Sequence, residues 1–212
     1  MAKRLKYLTP KNEKNLIINE KYLEVIGIDE VGRGCLAGPV YVAGYLYSLN
    51  TSAVSGINDS KLLTKAAREK VFEKIKEHLF HIEIGSVEEI DQIGIGKTIE
   101  KLISNIINFF KSNNKDGRNQ IYIIDGQFSK DFGTNSRKII KADSTFYSVA
   151  AASIIAKVSR DRYMIELSEK YPQYELAKHK GYATRLHRVI LEEIGQSEIH
   201  RMSFILKNRV SF

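Results

Sequence analysis

The sequence predicts an α/β domain with a mixed β-sheet. Two strand-like apolar runs come first, and strands and amphipathic helices then alternate along the chain. Of the 212 residues, 43% are hydrophobic, which is ample for a sizeable core. This length suits one domain, and no repeat or low-complexity linker divides it.

The first two strands are predicted at residues 22–28 and 39–46. The first run contains a Val and two Ile and ends at Asp29, and the second is rich in Val and Tyr. Because only a short glycine-rich turn separates them, we expect an antiparallel pair.

Two amphipathic helices with a short strand between them follow. Residues 64–79 predict a helix whose buried face is Val71, Phe72, Ile75 and Leu79. Over residues 81–85, apolar and polar side chains alternate, which predicts a short strand. Residues 96–111 predict a second helix with one apolar face, formed by Ile99, Leu102, Ile103, Ile106 and Phe110.

The next part of the chain predicts an interior strand. After a polar loop at residues 112–119, the run 121–124 is apolar throughout, as strands buried on both faces are, and it ends in Asp125-Gly126. Residues 138–141 predict a brief further strand that ends near Asp143.

The longest predicted helix covers residues 146–171. Its centre, residues 150–153, has only small side chains and would allow close packing on the sheet. Pro172 should end it, because proline cannot continue the hydrogen-bond ladder. One more helix at about 184–194 and the segment 200–204 complete the chain.

Composition limits the partners and the compartment. Lys and Arg outnumber Asp and Glu by 33 to 25, and the net charge of +8 favours polyanions, nucleic acid first. The single cysteine, Cys35, excludes an internal disulfide and fits a reducing compartment. No secretory signal and no apolar run of membrane length is present, so a cytoplasmic protein without membrane contact is expected.

Four acidic residues stand out by position: Asp29, Glu30, Asp125 and Asp143. Asp29 and Asp125 each follow an apolar run, where a side chain can emerge at a sheet edge. Neighbouring carboxylates repel each other, and a divalent cation would offset that cost. Each could instead cap a helix or begin a turn, and for Asp125-Gly126 alone turn statistics favour that interpretation.

Other polar residues have simpler interpretations. Asp59, Asp91 and Asp116 fit turns or caps. The C-terminal histidines lie among many Lys and Arg without zinc-ligand spacing, so solvated or phosphate-facing roles are predicted for His179, His187 and His200. Packing within its loop is favoured for Cys35 over nucleophilic catalysis. No phosphate-binding loop or serine-hydrolase elbow occurs.

Several segments together resemble the type 2 ribonucleases H, specifically ribonuclease HII. They occur in the family's order over nearly the whole chain, and His187 lies between the last two. The matching segments are residues 27–34, 36–40, 59–62, 124–126, 141–143, 148–161, 179–182 and 200–204.

The resemblance implies a fold and an activity. The fold would be a ribonuclease H-like mixed sheet flanked by helices, with residues 1–212 as one catalytic domain and 172–212 as a helical, substrate-contacting segment. The activity would be hydrolysis of RNA in RNA–DNA hybrids and incision at single ribonucleotides embedded in duplex DNA. A monomer is expected.

The resemblance also implies residue roles. Asp29, Glu30, Asp125 and Asp143 match the family's metal-binding carboxylates. The backbone of Gly32, Arg33 and Gly34 matches the loop that senses the ribose 2′-hydroxyl. Tyr182 matches the tyrosine that packs on the neighbouring deoxyribose.

An oxygen-only site suits Mg²⁺ or Mn²⁺, with two ions expected once substrate is bound. Hydrolysis would leave a 5′-phosphate and a 3′-hydroxyl. Five basic residues are candidates for phosphate contacts, with a solvated surface position as the alternative for each: Arg33, Lys61, Lys157, Lys180 and Arg185.

Two positions depart from the family pattern. Cys35 stands where proline is usual, and Ala142 stands where a glycine often precedes the fourth carboxylate. Both substitutions could alter the local geometry of their loops, but neither removes a functional group. About two dozen residues precede the first motif, which favours the HII branch over ribonuclease HIII with its extra N-terminal domain.

The competing hypotheses are a junction resolvase, which would cut branched DNA, and a basic binding module without activity.

Overall fold

The computed structural model describes residues 7–205, and it contains one five-stranded mixed sheet. The strand order is β3-β2-β1-β4-β5. β1 pairs antiparallel with β2 and parallel with β4, β2 pairs antiparallel with β3, and β4 pairs parallel with β5. The strands are β1 Glu24–Val31, β2 Val40–Ser48, β3 Phe80–Gly85, β4 Gln120–Asp125 and β5 Ser136–Ile139.

Helices cover both faces of this sheet, so the predicted α/β class with a mixed sheet is confirmed. Short 3₁₀ turns lie at Ala142–Ser144 and Pro172–Tyr174. The helices are α1 Lys11–Glu20, α2 Lys65–Ile75, α3 Val87–Ile93, α4 Ile95–Asn113, α5 Tyr147–Lys170, α6 Leu176–His179, α7 Arg185–Ile194 and α8 Met202–Ile205. The described part of the C-terminal segment is therefore helical, as predicted.

The core has two layers, one on each face of the sheet. Alternate residues of β1 face opposite ways, so Val25 packs with α1, α2 and α5 while Ile26 and Ile28 pack with α4. The predicted apolar face of α4 is buried at every position, since Ile99 and Phe110 and the residues between them on that face are at most 2% exposed. A third cluster joins α5 to the C-terminal helices.

The central helix α5 lies directly on β1. A Cβ atom added to Gly27 would lie 2.2 Å from the backbone carbon of Ser148 and from the nitrogen of Val149. The small residues Ala150, Ala151 and Ala152 that follow are fully buried. The close packing predicted from this small-residue segment is therefore present, and it fixes α5 against the strand that carries Asp29.

Replacing Gly27 by alanine should destabilise the protein by about 3 kcal/mol or more, because the methyl group overlaps rigid backbone atoms. Urea unfolding of the purified variant measures this. Gly96→Ala is the control, since its added Cβ meets nothing within 4 Å. A Gly27→Ala variant as stable as the control would show that α5 can move away from β1 at little cost.

Several element boundaries differ from the prediction. β1 continues to Val31 because Asp29 and Glu30 pair with Ala43 and Val42 of β2, so both acids lie within the strand. The predicted helix 64–79 ends at Ile75, and Leu79 is 48% exposed rather than on the buried face. The strand predicted at 138–141 lies two residues earlier.

Helices α1 and α3 were not predicted. α1 contains a fully buried acid, Glu13, whose Oε1 accepts hydrogen bonds from the backbone N–H and the hydroxyl of Ser148 at 2.8 Å. This carboxylate caps the first turn of α5, where Phe146 provides no side-chain cap. Burial raises the pKa of Glu13.

The described part of the chain, residues 7–205, contains no helix that is both long enough and apolar enough to cross a membrane.

Candidate functional site

Three of the predicted acids meet at one edge of the sheet. Asp29 of β1 and Asp125 of β4 come from neighbouring parallel strands, whose register pairs Ile28 with Ile124. Asp143 lies in the 3₁₀ turn that follows β5. One carboxylate oxygen from each of the three lies within 4.8 Å of the other two. The fold therefore brings Asp29 together with two carboxylates that follow it by about 100 residues in sequence.

Backbone contacts hold these carboxylates in place. Asp125 Oδ1 accepts the N–H of Ala142 at 2.8 Å, which ties the end of β4 to the turn that carries Asp143. Asp29 Oδ1 accepts the N–H of Glu30 at 2.8 Å. Asp125 thus begins a turn, as Asp-Gly pairs do, and also belongs to the cluster.

The environment disfavours the ionised form of these acids. Burial raises the pKa of Asp29 well above its ordinary value, and the charges of Glu30 and Asp125 add to that effect while a hydrogen bond from Ser153 opposes it. Burial likewise raises the pKa of Asp143, together with the charge of Asp125. The Lys61 ammonium group lies 3.7 Å from Asp143 and partly compensates.

Glu30 lies beside the three-acid cluster and faces the opposite side of β1 from Asp29. Its carboxylate is 3.5 Å from the guanidinium of Arg33. Burial raises the pKa of Glu30 to about 7, although Arg33 acts in the other direction and Asp125 adds to the increase. The four predicted acids therefore lie in one neighbourhood, three of them within reach of a single ion.

This donor set fits a divalent cation. Carboxylate oxygens are the ligands that Mg²⁺ and Mn²⁺ prefer, and no histidine or cysteine belongs to the cluster. Uncompensated, the buried carboxylates repel one another, and a bound cation would remove that repulsion. The residues that would hold it are Asp29, Asp125 and Asp143, with Glu30 adjacent.

Without metal, Asp29 and Glu30 should lower the free energy of unfolding as pH rises from about 4.5 to about 7. Their raised pKa values mean that these two groups bind protons more readily in the folded state than in the unfolded state. The buried His187 and His200, whose pKa values are lowered to about 4, contribute with the opposite sign, so the test compares a variant with the unchanged protein. In urea unfolding with a chelator, Asp29→Asn should gain stability relative to the unchanged protein as pH rises, by about 1 kcal/mol at pH 7. If the free energy of unfolding depended on pH in the same way in Asp29→Asn as in the unchanged protein, the expected repulsion would be contradicted.

The glycine-rich turn lies next to the acids and pairs with the C-terminal segment. Cys35 forms a backbone bridge with Tyr182, and Ala37 forms one with His200. Leu36 donates its N–H to the Gly181 carbonyl at 2.8 Å. These contacts bring Tyr182, 150 residues away in sequence, to the turn that follows Glu30.

Arg160 of α5 links the residues after the glycine-rich turn to the segment before Tyr182 through hydrogen bonds. Its guanidinium is fully buried and donates to the carbonyls of Pro39 at 2.8 Å, Lys180 at 2.9 Å and Ala37 at 3.1 Å. It also lies 5.6 Å from the centre of the Tyr182 ring. No role was predicted for Arg160 from the sequence. An arginine within a helix of small and apolar residues is the signal that could have revealed it.

Cys35 is fully buried, and its sulfur lies 3.9 Å from the Lys180 carbonyl oxygen. Burial raises the pKa of the thiol, which opposes formation of the nucleophilic thiolate. The predicted packing role is therefore confirmed.

The prediction for the C-terminal histidines was wrong. His179, His187 and His200 are 6%, 0% and 1% exposed, and they form a cluster between α6, α7 and the loop before α8. The His179 and His187 rings stack with centroids 4.1 Å apart, and the Nε2 atoms of His187 and His200 are 3.2 Å apart. Burial lowers the pKa of His187 and of His200 to about 4, so neutral rings are favoured here.

The predicted phosphate-contacting residues have different surroundings. Lys61, Arg33 and Arg185 are exposed. Lys157 is partly buried, with its ammonium 2.8 Å from Asp161 and 5.1 Å from the centre of the Tyr182 ring.

Asp59 and Asp91 have the turn and capping contacts that were predicted. Asp59 accepts the N–H of Lys61, and Asp91 accepts the N–H groups of Met202 and Ser203 at the start of α8.

Comparisons with known proteins identify relatives of this chain in sequence and in fold. The sequence model of the ribonuclease HII family matches residues 26–207. The chain is 43% identical over 197 residues to ribonuclease HII of Caldicellulosiruptor bescii, covering 92% of both, and 45% identical over 183 residues to that of Aliarcobacter butzleri, covering 85% and 90%. Its structure is similar to ribonuclease HII of Archaeoglobus fulgidus, solved in a complex with PCNA, with a TM-score of 0.72, 28% identity and coverage of 90% and 98%.

Proposed function

Because the chain belongs to the ribonuclease HII family, whose activity is cleavage of RNA strands in RNA–DNA hybrids, we propose that it also incises duplex DNA 5′ of a single embedded ribonucleotide. One observation supports this most strongly. Asp29 and Glu30 lie near the end of β1 and the turn Gly32-Arg33-Gly34 follows directly, so the turn proposed to sense the sugar adjoins the acids proposed to act on its phosphate.

Asp29, Glu30, Asp125 and Asp143 are the residues that would hold divalent metal, and we propose two ions, Mg²⁺ or Mn²⁺, with substrate present. When bound, such ions supply an activated water and charge relief on the phosphate and the leaving oxygen. The chain's own contribution is to fix the carboxylates: α5 and β4 hold Asp29 and Asp125 in register, and the N–H of Ala142 fixes the Asp125 carboxylate. The products would carry 5′-phosphate and 3′-hydroxyl ends.

Ribose recognition is assigned to the backbone of Gly32–Gly34. A 2′-hydroxyl both donates and accepts hydrogen bonds, so a backbone group that reaches it distinguishes RNA from DNA at one nucleotide. Gly34 is exposed and has no neighbour where a side chain would be, which leaves its backbone open to a ligand. No base contact is required, so cleavage would be largely independent of sequence.

Tyr182 is proposed to pack on the deoxyribose next to the ribonucleotide. Its ring is half-buried, and the cations of Lys157 and Arg160 lie 5.1 and 5.6 Å from its centre. Those contacts hold the ring from the α5 side and leave part of it exposed. The segment 172–212, as far as it is described, would in this way contribute to substrate binding within a single catalytic domain.

Phosphate contacts are proposed for the exposed cations Arg33, Lys61 and Arg185, and for Lys157 and Lys180 beside Tyr182. Neutralising phosphates releases counterions, so binding should weaken steeply as salt increases. Two of these cations lie beside the carboxylates: Arg33 is 3.5 Å from Glu30, and Lys61 is 3.7 Å from Asp143. We propose that the protein acts as a monomer on hybrid or ribonucleotide-containing duplex.

A substrate panel tests this function. With Mg²⁺ or Mn²⁺ supplied, we expect cleavage of an RNA–DNA hybrid and of a duplex with one ribonucleotide, and none of an all-DNA duplex or a branched DNA junction. Cleavage of the junction without ribose would favour a resolvase instead. Binding of all four without any cleavage would favour a binding module whose acids are structural.

A further inference from the structure

The residues after Glu30 form a β-turn whose central peptide has two possible orientations. Cys35 donates its N–H to the Gly32 carbonyl at 3.3 Å, so the central peptide joins Arg33 to Gly34. Type I and type II turns differ by a flip of this peptide, and glycine at the third position tolerates both. The orientation therefore needs a determinant outside the turn.

Arg201 provides that determinant. Its Nη1 donates to the Arg33 carbonyl at 3.0 Å and its Nε donates to the Gly38 carbonyl at 2.9 Å. The side chain is 0% exposed, so the Arg33 carbonyl points into the protein. Because a trans peptide directs its C=O and N–H oppositely, the Gly34 N–H points outward.

The geometry of Gly34 agrees with this orientation. Its φ lies outside the left-handed region that a type II turn requires at this position. The residue is exposed, and an added Cβ would meet no atom within 4 Å. The N–H consequently faces open space on the side of the turn where a ligand can approach.

Burying the Arg201 guanidinium costs free energy, which indicates that the residue has a role other than stabilising the fold. Within residues 7–205 no carboxylate lies within ion-pair distance of it, and its Nη2 has no hydrogen-bond partner. Burial lowers the pKa of Arg201 to about 10, so it remains a cation at neutral pH. A buried, unpaired guanidinium is a poor device for stability alone.

We propose that Arg201 is a specificity-determining positioning residue that holds the Arg33–Gly34 peptide with the Gly34 N–H facing the 2′-oxygen of the ribose. This inference rests on the proposed function of the turn. Arg201 itself does not touch the substrate. Without it, Gly34 allows the peptide to flip, and the turn would present a carbonyl oxygen in place of the N–H.

The test compares binding of two duplexes, identical except for one ribonucleotide, in an Asp125→Asn background that does not cleave. Arg201→Lys has one ammonium and cannot reproduce the bonds to both carbonyls. We expect it to lower the preference for the ribonucleotide-containing duplex about tenfold, roughly the value of one hydrogen bond. Binding of the all-DNA duplex should change little.

Arg118→Lys is the control, because it makes the same change of side chain at the other end of β1, where the guanidinium lies 3.0 Å from Glu24. We expect it to leave the ratio of the two affinities intact. An unchanged ratio in a folded Arg201→Lys variant would overturn the proposal. So would equal losses of preference in the two variants.

Nuclear magnetic resonance of the ¹⁵N-glycine-labelled Asp125→Asn protein, with Arg201 intact, provides a test that does not depend on that substitution being tolerated. The Gly34 amide signal should differ between the complexes with the two duplexes, and identical signals would overturn the proposal. If the protein with all its native residues prefers neither duplex and cleaves neither, the proposed function fails. If that protein prefers the ribonucleotide-containing duplex and the Arg201→Lys variant prefers it equally, only the role proposed for Arg201 fails.

Discussion

Asp125→Asn should reduce cleavage of a duplex with one ribonucleotide by about a thousandfold or more, because it removes a charged ligand from the carboxylate cluster. The amide can still accept the Ala142 N–H, so the turn at the end of β4 should persist. Substrate binding should also persist, since the phosphate-contacting cations are unchanged. Single-turnover cleavage and an equilibrium binding assay measure the two effects separately.

The chain offers a matched control for this substitution. Asp116-Gly117 is also an Asp-Gly pair, but the Asp116 carboxylate is 71% exposed and pairs only with Arg118 among the described residues. Asp116→Asn should therefore leave cleavage unchanged. Retained turnover in the Asp125→Asn variant would refute the assignment of Asp125 as a metal ligand.

Tyr182→Ala should lower incision at a single ribonucleotide by about 10- to 100-fold, because it removes the ring proposed to pack on the neighbouring deoxyribose. Burial of an aromatic ring against a sugar contributes up to about 1.5–3 kcal/mol. Cleavage within a long hybrid, which has no such junction at most positions, should fall much less. The ratio of the two rates is the quantity to measure.

Tyr182→Phe separates the ring from its hydroxyl. The backbone bridge to Cys35 and the cations of Lys157 and Arg160 do not depend on that hydroxyl, so the ring should keep its position. We expect this variant to retain most of the incision activity. Equal losses on both substrates in Tyr182→Ala would show that the residue supports the fold and does not sense the junction.

Much of the fold could be predicted because its elements have strong periodic patterns. The apolar face of α4 and the uninterrupted apolar run of β4 are local signals, and both elements occur where they indicate. α1 could not be found in this way, since it is largely polar and one of its three buried residues is Glu13. Its stability depends on a tertiary contact with α5.

The site was predictable where acids follow apolar runs, and much less so where buried cations organise the backbone. Asp29 and Asp125 each directly follow an apolar run of the sequence, which is a recognisable position. Arg160 and Arg201 gave no such signal, because an arginine is ordinarily expected at the surface. The histidines were misjudged for a related reason: nearby basic residues such as Lys178 and Arg188 are exposed, while the histidine rings are buried.

The proposal that a sugar-sensing turn adjoins the reacting phosphate makes a prediction about the position of the cut. Mapping the products of an end-labelled duplex with one ribonucleotide, in Mg²⁺ and in Mn²⁺, tests it most directly. We predict one incision immediately 5′ of the ribonucleotide, leaving a 3′-hydroxyl and a 5′-phosphate. Cleavage on the 3′ side with a cyclic phosphate, or cuts whose position ignores the ribonucleotide, would contradict the account.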